Sequence, residues 1–396
     1  MSKPKALTGA DVITPKGIVR KGLLLFASGK IEYSGSMKTY SKSRYETINL
    51  EGKTVSPGLI DAHTHLGVYA EGSGEMGEDG NEMVDPVTPH VRAIDSIDPS
   101  DKAFEEAAEA GITSVMITPG SANVIGGTVC VCKTFGRMVD DMVIAENIGQ
   151  KMATGENPKR VYGSAKKAPM TRMGIAAVLR SALVEAVNYR DKIKKKKKDT
   201  PRDLKLEALI DIIEGRLPAR VHAHRADDIA TAIRIADEFK LKLVIEHGTE
   251  AYKIADFLAK KKIPLNLGPA STGRSKVELK DLVRDNAARC INAGCFVSLI
   301  TDHPVIPIQD LRQEAMKLVR DHGADRGQVF DAVTINPART LGLNKKIGSL
   351  AKGKDADIAV YTGHPIDPGS VCVMTLIGGE VVYGGPATIT PHFRNE

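Results

Sequence analysis

Two histidines separated by one residue, His63 and His65, are the first side chains in the chain whose types and spacing could do chemistry. They close an apolar run that begins at Leu59, and on a strand residues two apart point to the same face. Asp61, His63 and His65 then line up together. A neutral imidazole offers a lone pair to a divalent ion, and two from one strand supply half of a four-coordinate site. The pair alone does not define such a site, because a core or surface strand can carry the same spacing. What decides it is the framework that holds the pair.

Strand-like runs and helical patterns alternate through the middle of the chain, the arrangement expected of a parallel sheet wrapped by helices. Eight runs qualify: Leu59 to His63, Thr113 to Thr118, Val129 to Lys133, Gly149 to Thr154, Arg220 to His224, Leu243 to His247, Ile263 to Leu267 and Phe296 to Thr301. Eight is the number that closes a (β/α)8 TIM barrel, whose active residues gather at the carboxyl ends of the strands. The long interval before Arg220 holds two helical patterns, one with Ile175, Val178, Leu179, Ala182 and Leu183, the other with Leu209, Ile212 and Ile213. Ser100 reads as the N-cap of a helix that stops at Gly111. The stretch from Gly67 to His90 has five glycines and six carboxylates, too polar for a core, and as a loop after the first strand it would overhang the barrel mouth.

Both ends read differently. Gly17 to Val19, Leu23 to Phe26 and Lys30 to Tyr33 are short strands, as are Ile358 to Tyr361 and Val373 to Ile377, with Gly378-Gly379 and Val381 to Tyr383 completing a hairpin signal. We expect a small β-sandwich domain composed of residues 1–56 and 343–396, and a barrel over 57–342.

Composition narrows the function classes. Hydrophobic residues make up 42% and charged residues 26% of the 396, which is ordinary for a folded protein. The net charge of +6 suggests nucleic acid, but Lys192 and Lys194 to Lys198 account for it; without those six of 55 basic residues, 49 remain against 49 acidic ones. That run reads as a solvated helix end or loop, and with no Trp there is little for bases to stack on. The five cysteines (Cys130, Cys132, Cys290, Cys295, Cys372) have no paired spacing for a disulfide framework or structural zinc. Without an apolar leader or long apolar span, a soluble cytoplasmic protein is expected, with a small-molecule substrate, no nucleic-acid or membrane partner, and a homo-oligomeric state.

The run Pro57-Gly58-Leu59-Ile60-Asp61-Ala62-His63-Thr64-His65 resembles the opening signature of the amidohydrolase superfamily. Thr334-Ile335-Asn336-Pro337-Ala338-Arg339, Gly348-Ser349-Leu350 and Gly353-Lys354-Asp355-Ala356-Asp357 resemble the return from barrel to β-domain in the same enzymes. The resemblance is greatest to the imidazolonepropionase-like branch, which includes prolidase-like peptidases. It implies further metal ligands on the fifth, sixth and eighth strands, where His222, His247 and Asp302 stand. His222 and His224 share a face, and position favours His222 as ligand with His224 orienting substrate. A second ion would need a bridging carboxylate or carboxylated lysine from the third or fourth strand, for which Glu156 is the best placed, with Lys133 as alternative.

Imidazolonepropionases carry Glu three residues after the fifth-strand histidine, and Arg225 occupies that place. Arg225 could clamp a substrate carboxylate or pair with Asp227 or Asp228. The expected cofactor is one or two divalent ions, zinc first, with iron or manganese as alternatives. Such an ion lowers the pKa of bound water from about 15.7 toward about 7. Asp302 would carry the proton to the leaving nitrogen, with His247 the second catalytic residue. The expected reaction is hydrolysis of a C–N bond in a cyclic amide, small amide or dipeptide; deamination of a ring amidine and a non-catalytic scaffold are the alternatives. Gly120 to Gly127 reads as a turn matching no phosphate loop, and His90 and His303 fall in mouth loops.

Overall fold

Alternation of apolar runs with amphipathic helices produces a barrel, seen in a computed structural model that describes residues 3–195 and 200–385. Lys196, Lys197 and Lys198 of the lysine run lie outside the described residues. The barrel strands are β1 (Leu59–Thr64), β2 (Ile112–Ile117), β3 (Cys130–Lys133), β4 (Gln150–Ala153), β5 (Ala219–Ala223), β6 (Leu243–His247), β7 (Leu265–Leu267) and β8 (Val297–Leu299). Strands β4 to β8 are parallel neighbours in sequence order, and β1 pairs parallel with β2. Just past β8, Asp302 N donates to His63 O at 3.2 Å and His65 N to His303 O at 2.8 Å, joining the last strand to the first.

The third strand departs from the expected parallel pattern. Ile125–Thr128 pairs antiparallel with β4, and the continuation β3 pairs antiparallel with β2. The physical reason is the connection: a parallel crossover needs about a dozen residues or more, usually a helix. Only residues 118–124 separate β2 from this run, so the chain doubles straight back. The run still bridges β2 to β4 and completes the circuit.

Helices cover the outside. Ala226–Phe239 buries Ile229, Ala232, Ile233 and Ala236 against the strands, one stripe of a helix whose other face is polar. The two patterns read before β5 are the helices Arg172–Lys194 and Leu204–Ile213. The helix ahead of β2 spans Ala103–Glu109, and Asp101 rather than Ser100 serves its start, accepting from Ala103 N at 3.1 Å. Ser100 instead donates its hydroxyl to Asp98.

Both ends of the chain form two further sheets. One has the order Lys30–Gly35, Leu23–Ala27, Lys5–Thr8, Glu46–Asn49; the other runs Glu380–Gly384, Cys372–Ile377, Ile358–Tyr361, Thr54–Pro57, Asp11–Thr14, Gly17–Val19. They share a core that includes Leu7, Val12, Leu24, Phe26, Ile358 and Leu376. Gly378 and Gly379, with φ of +57° and +82°, make the tight hairpin their sequence requires.

Lys133, weighed above as a bridging group, does not reach the barrel mouth. Its ammonium binds Asp355, at 3.2 Å, and Asp357, pinning the barrel to the sandwich. The strand Thr54–Pro57 of the sandwich leads into β1 through Gly58, where a Cβ would sit 2.1 Å from Thr113 Oγ1 and 2.3 Å from its Cγ2. Gly58→Ala is therefore expected to cost about 1–3 kcal/mol through overpacking. Chemical denaturation should show a lowered midpoint, and an unchanged midpoint would mean that β1 and β2 separate easily.

Candidate active site

Four strand ends deliver histidines or a carboxylate to one point. His63 and His65 come from β1 and the residue after it, His222 and His224 from β5 and the residue after it, His247 from the last position of β6, and Asp302 from just beyond β8. His247 and Asp302 adopt φ of +70° and +54°, a left-handed backbone that non-glycine residues rarely take and that turns both side chains inward at the strand ends. The ring of His247 lies with centroids 4.7 Å from His63, 4.5 Å from His222 and 4.9 Å from His224. Asp302 Oδ1 is 3.4 Å from His63 Nε2 and 3.3 Å from His65 Nε2, and Oδ2 is 3.7 Å from His247 Nδ1.

The rings are aimed by what they bind. His63 Nδ1 lies 2.9 Å from Glu246 Oε2, while Arg220 Nη1 donates to Glu246 Oε1 at 3.1 Å and Asn266 Nδ2 to Oε2 at 2.9 Å. Glu246 and Arg220 are wholly buried, so this chain from Arg220 through Glu246 to His63 is a dry ion pair whose job is to fix one imidazole. His65 Nδ1 bonds Thr118 O at 2.7 Å, His224 Nδ1 bonds Thr249 Oγ1 at 2.7 Å, and His247 Nδ1 faces Gly268 O at 3.2 Å. Asp61, on the His63 face of β1, accepts from His63 N, Thr301 N and Thr301 Oγ1, and so fixes the turn that carries Asp302.

Burial lowers His65 below its ordinary value, brings His224 down to about 4, and holds His222 and His247 well below. These four imidazoles are neutral at pH 7 and keep their lone pairs. Burial alone would raise the Asp302 carboxyl, but His247, His63 and His65 outweigh it and hold Asp302 well below the usual carboxylate range.

The donor set fits a divalent ion. Ligand atoms of His63, His247 and Asp302 lie within 4.8 Å of one another, as do those of His222, His224 and His247. His247 Nε2, His222 Nδ1 and Asp302 Oδ1 are buried with no hydrogen-bond partner, a costly state that coordination would relieve.

Sequence reasoning missed two residues here. Lys151, in β4, is fully buried with Nζ 3.4 Å from His63 Nε2, and burial lowers its pKa to about 8. Its signal was available, since a lone lysine on an inward position of the expected fourth strand has no solvent to reach. The second is Glu246, next to His247.

Other candidates are not drawn in. Glu156 heads the helix Glu156–Ser164, and its Oε2 accepts from Glu278 N at 3.0 Å instead of bridging the histidines. Arg225 is held by Asp227 through two bonds of 2.9 Å, the ion-pair alternative, which leaves no free fork for a substrate. His90 is exposed, and His303 is buried with Nε2 3.7 Å from Glu71 in the loop over the mouth. That loop also lays Tyr69 edge-on against His65, with ring centroids 5.3 Å apart. Beside His247 a cavity of about 500 Å³ runs out past Leu267, Pro269, Ser271, Leu282, Arg284 and Lys317.

A closed barrel with a terminal sandwich and a His-rich mouth defines a class, and the chain belongs to it: residues 54–383 match the amidohydrolase family. A solved amidohydrolase from Thermotoga maritima is 45% identical, with a TM-score of 0.92 over 96% of this chain and 100% of the other. Amidohydrolase tasK of Hapsidospora irregularis is 29% identical over 87% of this chain, which spans only 38% of that protein's length. An imidazolonepropionase of Maricaulis maris is 24% identical over 87% of this chain and 88% of its own. The resemblance to the imidazolonepropionase-like branch holds. Among the described residues no helix is long and apolar enough to cross a membrane.

Proposed function

We propose that the protein is a divalent-metal hydrolase that cleaves a C–N bond in a cyclic amide, a small amide or a dipeptide. The observation that carries the proposal is the convergence of neutral His65, His222 and His247 with His63 and an ionised Asp302 at the mouth of the barrel. His63, His65, His222, His247 and Asp302 are the residues that would hold the ion, and zinc suits a nitrogen and carboxylate set. Bound there, the ion supplies a Lewis acid and an activated water.

The chain's own residues do the rest. Asp302, ionised and within 3.7 Å of His63, His65 and His247, is the group that accepts the proton of the attacking water and returns it to the leaving nitrogen. Lys151, whose Nζ lies 3.4 Å from His63 Nε2, is the residue that would supply a bridging carboxylate if its amine were carboxylated, in place of Glu156 or Lys133. His247, shared by both groups of ligands, orients the reacting centre. His224 remains the residue we place against the substrate. The cavity past His247 is lined by Leu267, Pro269, Leu282 and Leu318, with Arg284 and Lys317 balanced by Glu314 and Asp321, which suits an amide bearing an apolar group.

Removing metal tests the core of this reading. Dialysis of the purified chain against a chelator should abolish hydrolysis of N-acyl amino acids, dipeptides and cyclic amides, and zinc should restore it. A chain that carries no stoichiometric metal after zinc loading would overturn the proposal.

A further inference from the structure

A second hollow lies at the end of the barrel away from the mouth. Where the chain enters β5, β6, β7 and β8, a cavity of about 630 Å³ opens between the strand starts and the segment 339–342. Its floor is apolar: Leu217, Pro218, Leu241, Phe296 and Leu341 line it, and all but Leu341 are only half-buried. Apolar surface gathered in a concave place and left wet is surface that a ligand can cover. The floor is also fixed from inside the barrel, because Thr340 O, in the same wall, accepts from buried Arg220 Nη2 at 2.9 Å. The hollow is therefore preformed.

Its charge is almost all of one sign. Arg216, Lys242, Lys261, Lys262 and Arg339 line the cavity against a single carboxylate, Asp237. Asp237 is taken by Lys261 at 2.6 Å, and Arg216 is taken by Asp211 and Glu214. Lys242, Lys262 and Arg339 have no acidic partner among the described residues, and Arg339 reaches only Asn336 Oδ1, at 3.5 Å. Lysines are common at helix ends, and the helix Ala255–Lys261 stops here. A helix terminus carries only about half an elementary charge, however, so most of the positive field is left unmet. Three unpaired cations round one hollow repel one another, and an anion seated among them relieves that repulsion.

Each part of the lining excludes a class of ligand. An inorganic ion would leave the floor wet, a neutral apolar molecule would leave the cations unmet, and the volume falls within the range of about 300–1,000 Å³ typical of small-molecule pockets. We propose that the base of the barrel binds a small amphipathic anion, an apolar body bearing one carboxylate or phosphate head, with Lys242, Lys262 and Arg339 around the head and Leu217, Leu241 and Phe296 against the body. The position lies at the strand starts, whereas His63, His222 and His247 stand at the strand ends, so a ligand held here is out of reach of the reacting centre. Binding at the base needs no metal, and it stands or falls apart from the hydrolase reading.

Titration calorimetry of the full-length chain with octanoate, butyrate, phenyl phosphate, inorganic phosphate and octylamine tests it. Octanoate should bind at least about tenfold more tightly than butyrate, or phenyl phosphate than inorganic phosphate, because the longer body covers more of the floor. Octylamine should not bind. Whichever of octanoate and phenyl phosphate binds more tightly identifies the head as carboxylate or phosphate. Lys242→Glu and Arg339→Glu should each weaken that ligand at least about tenfold, the size of one lost charged contact, and Arg339→Lys should keep most of the affinity. Both positions are exposed, so the thermal melts of the variants should match that of the wild type. Affinity unchanged in both charge reversals would put the anion elsewhere, the mouth included, and overturns the proposal, as does equal affinity for octylamine or no binding of either amphipathic anion.

Discussion

Replacing Asp302 by Asn should lower kcat/KM by at least about 10³-fold with the fold and most of the bound metal preserved. Asparagine is the informative replacement because, like aspartate, it tolerates the left-handed backbone at this position, φ +54°, whereas alanine adds strain there. The variant keeps the size of the side chain and removes the one carboxylate that the histidines hold ionised. Positioned proton transfer is worth about 10²–10⁴-fold, and the loss of an anionic ligand adds to it. Steady-state kinetics alongside metal analysis checks the result; a kcat within tenfold of wild type would remove Asp302 from proton transfer.

The second large effect is on stability. Glu246→Ala strands Arg220, which is wholly buried and whose Nε already has no partner, with only the Thr340 carbonyl at 2.9 Å to bind. Breaking a buried pair from one side costs about 3–5 kcal/mol. His63 loses its only carboxylate at Nδ1 in the same step, so metal affinity should fall about 10–100-fold. Denaturant unfolding should register the loss, and pairing the change with Arg220→Met should recover much of the stability but none of the metal affinity. Full recovery of both would mean that Glu246 does not orient His63.

These residues show what a sequence reveals and what it hides. His63, His65, His222, His247 and Asp302 were legible because each ends an apolar run, and the barrel turns strand ends into neighbours. Six strands of the terminal sheets were legible from short apolar runs and paired glycines, whereas Lys5–Thr8, Asp11–Thr14, Glu46–Asn49 and Thr54–Pro57 were not. The direction of β3 was not, since an apolar strand reads the same whichever way it runs; only the short connection 118–124 fixes it. Lys133 and Lys151 sit on successive strands, each a lone lysine in a buried run, so the sequence marks both as inward-facing but not which one faces Asp355 and Asp357 and which faces His63. The bond that holds Glu156 to Glu278 had no signal at all, because it depends on a loop crossing from β7 to β4.

The shared sheet of the sandwich has a consequence for how the chain is made. Thr54–Pro57, the strand that runs into β1, lies between Asp11–Thr14 on one side and Ile358–Tyr361 on the other. During synthesis it emerges early with one partner, and its second arrives only after some 300 further residues have been translated. The base of the strand that carries His63 and His65 thus stays an open edge on the ribosome, and premature termination before Ile358 leaves the nascent barrel with an unpaired β-strand at its base, a surface for chaperones or for aggregation.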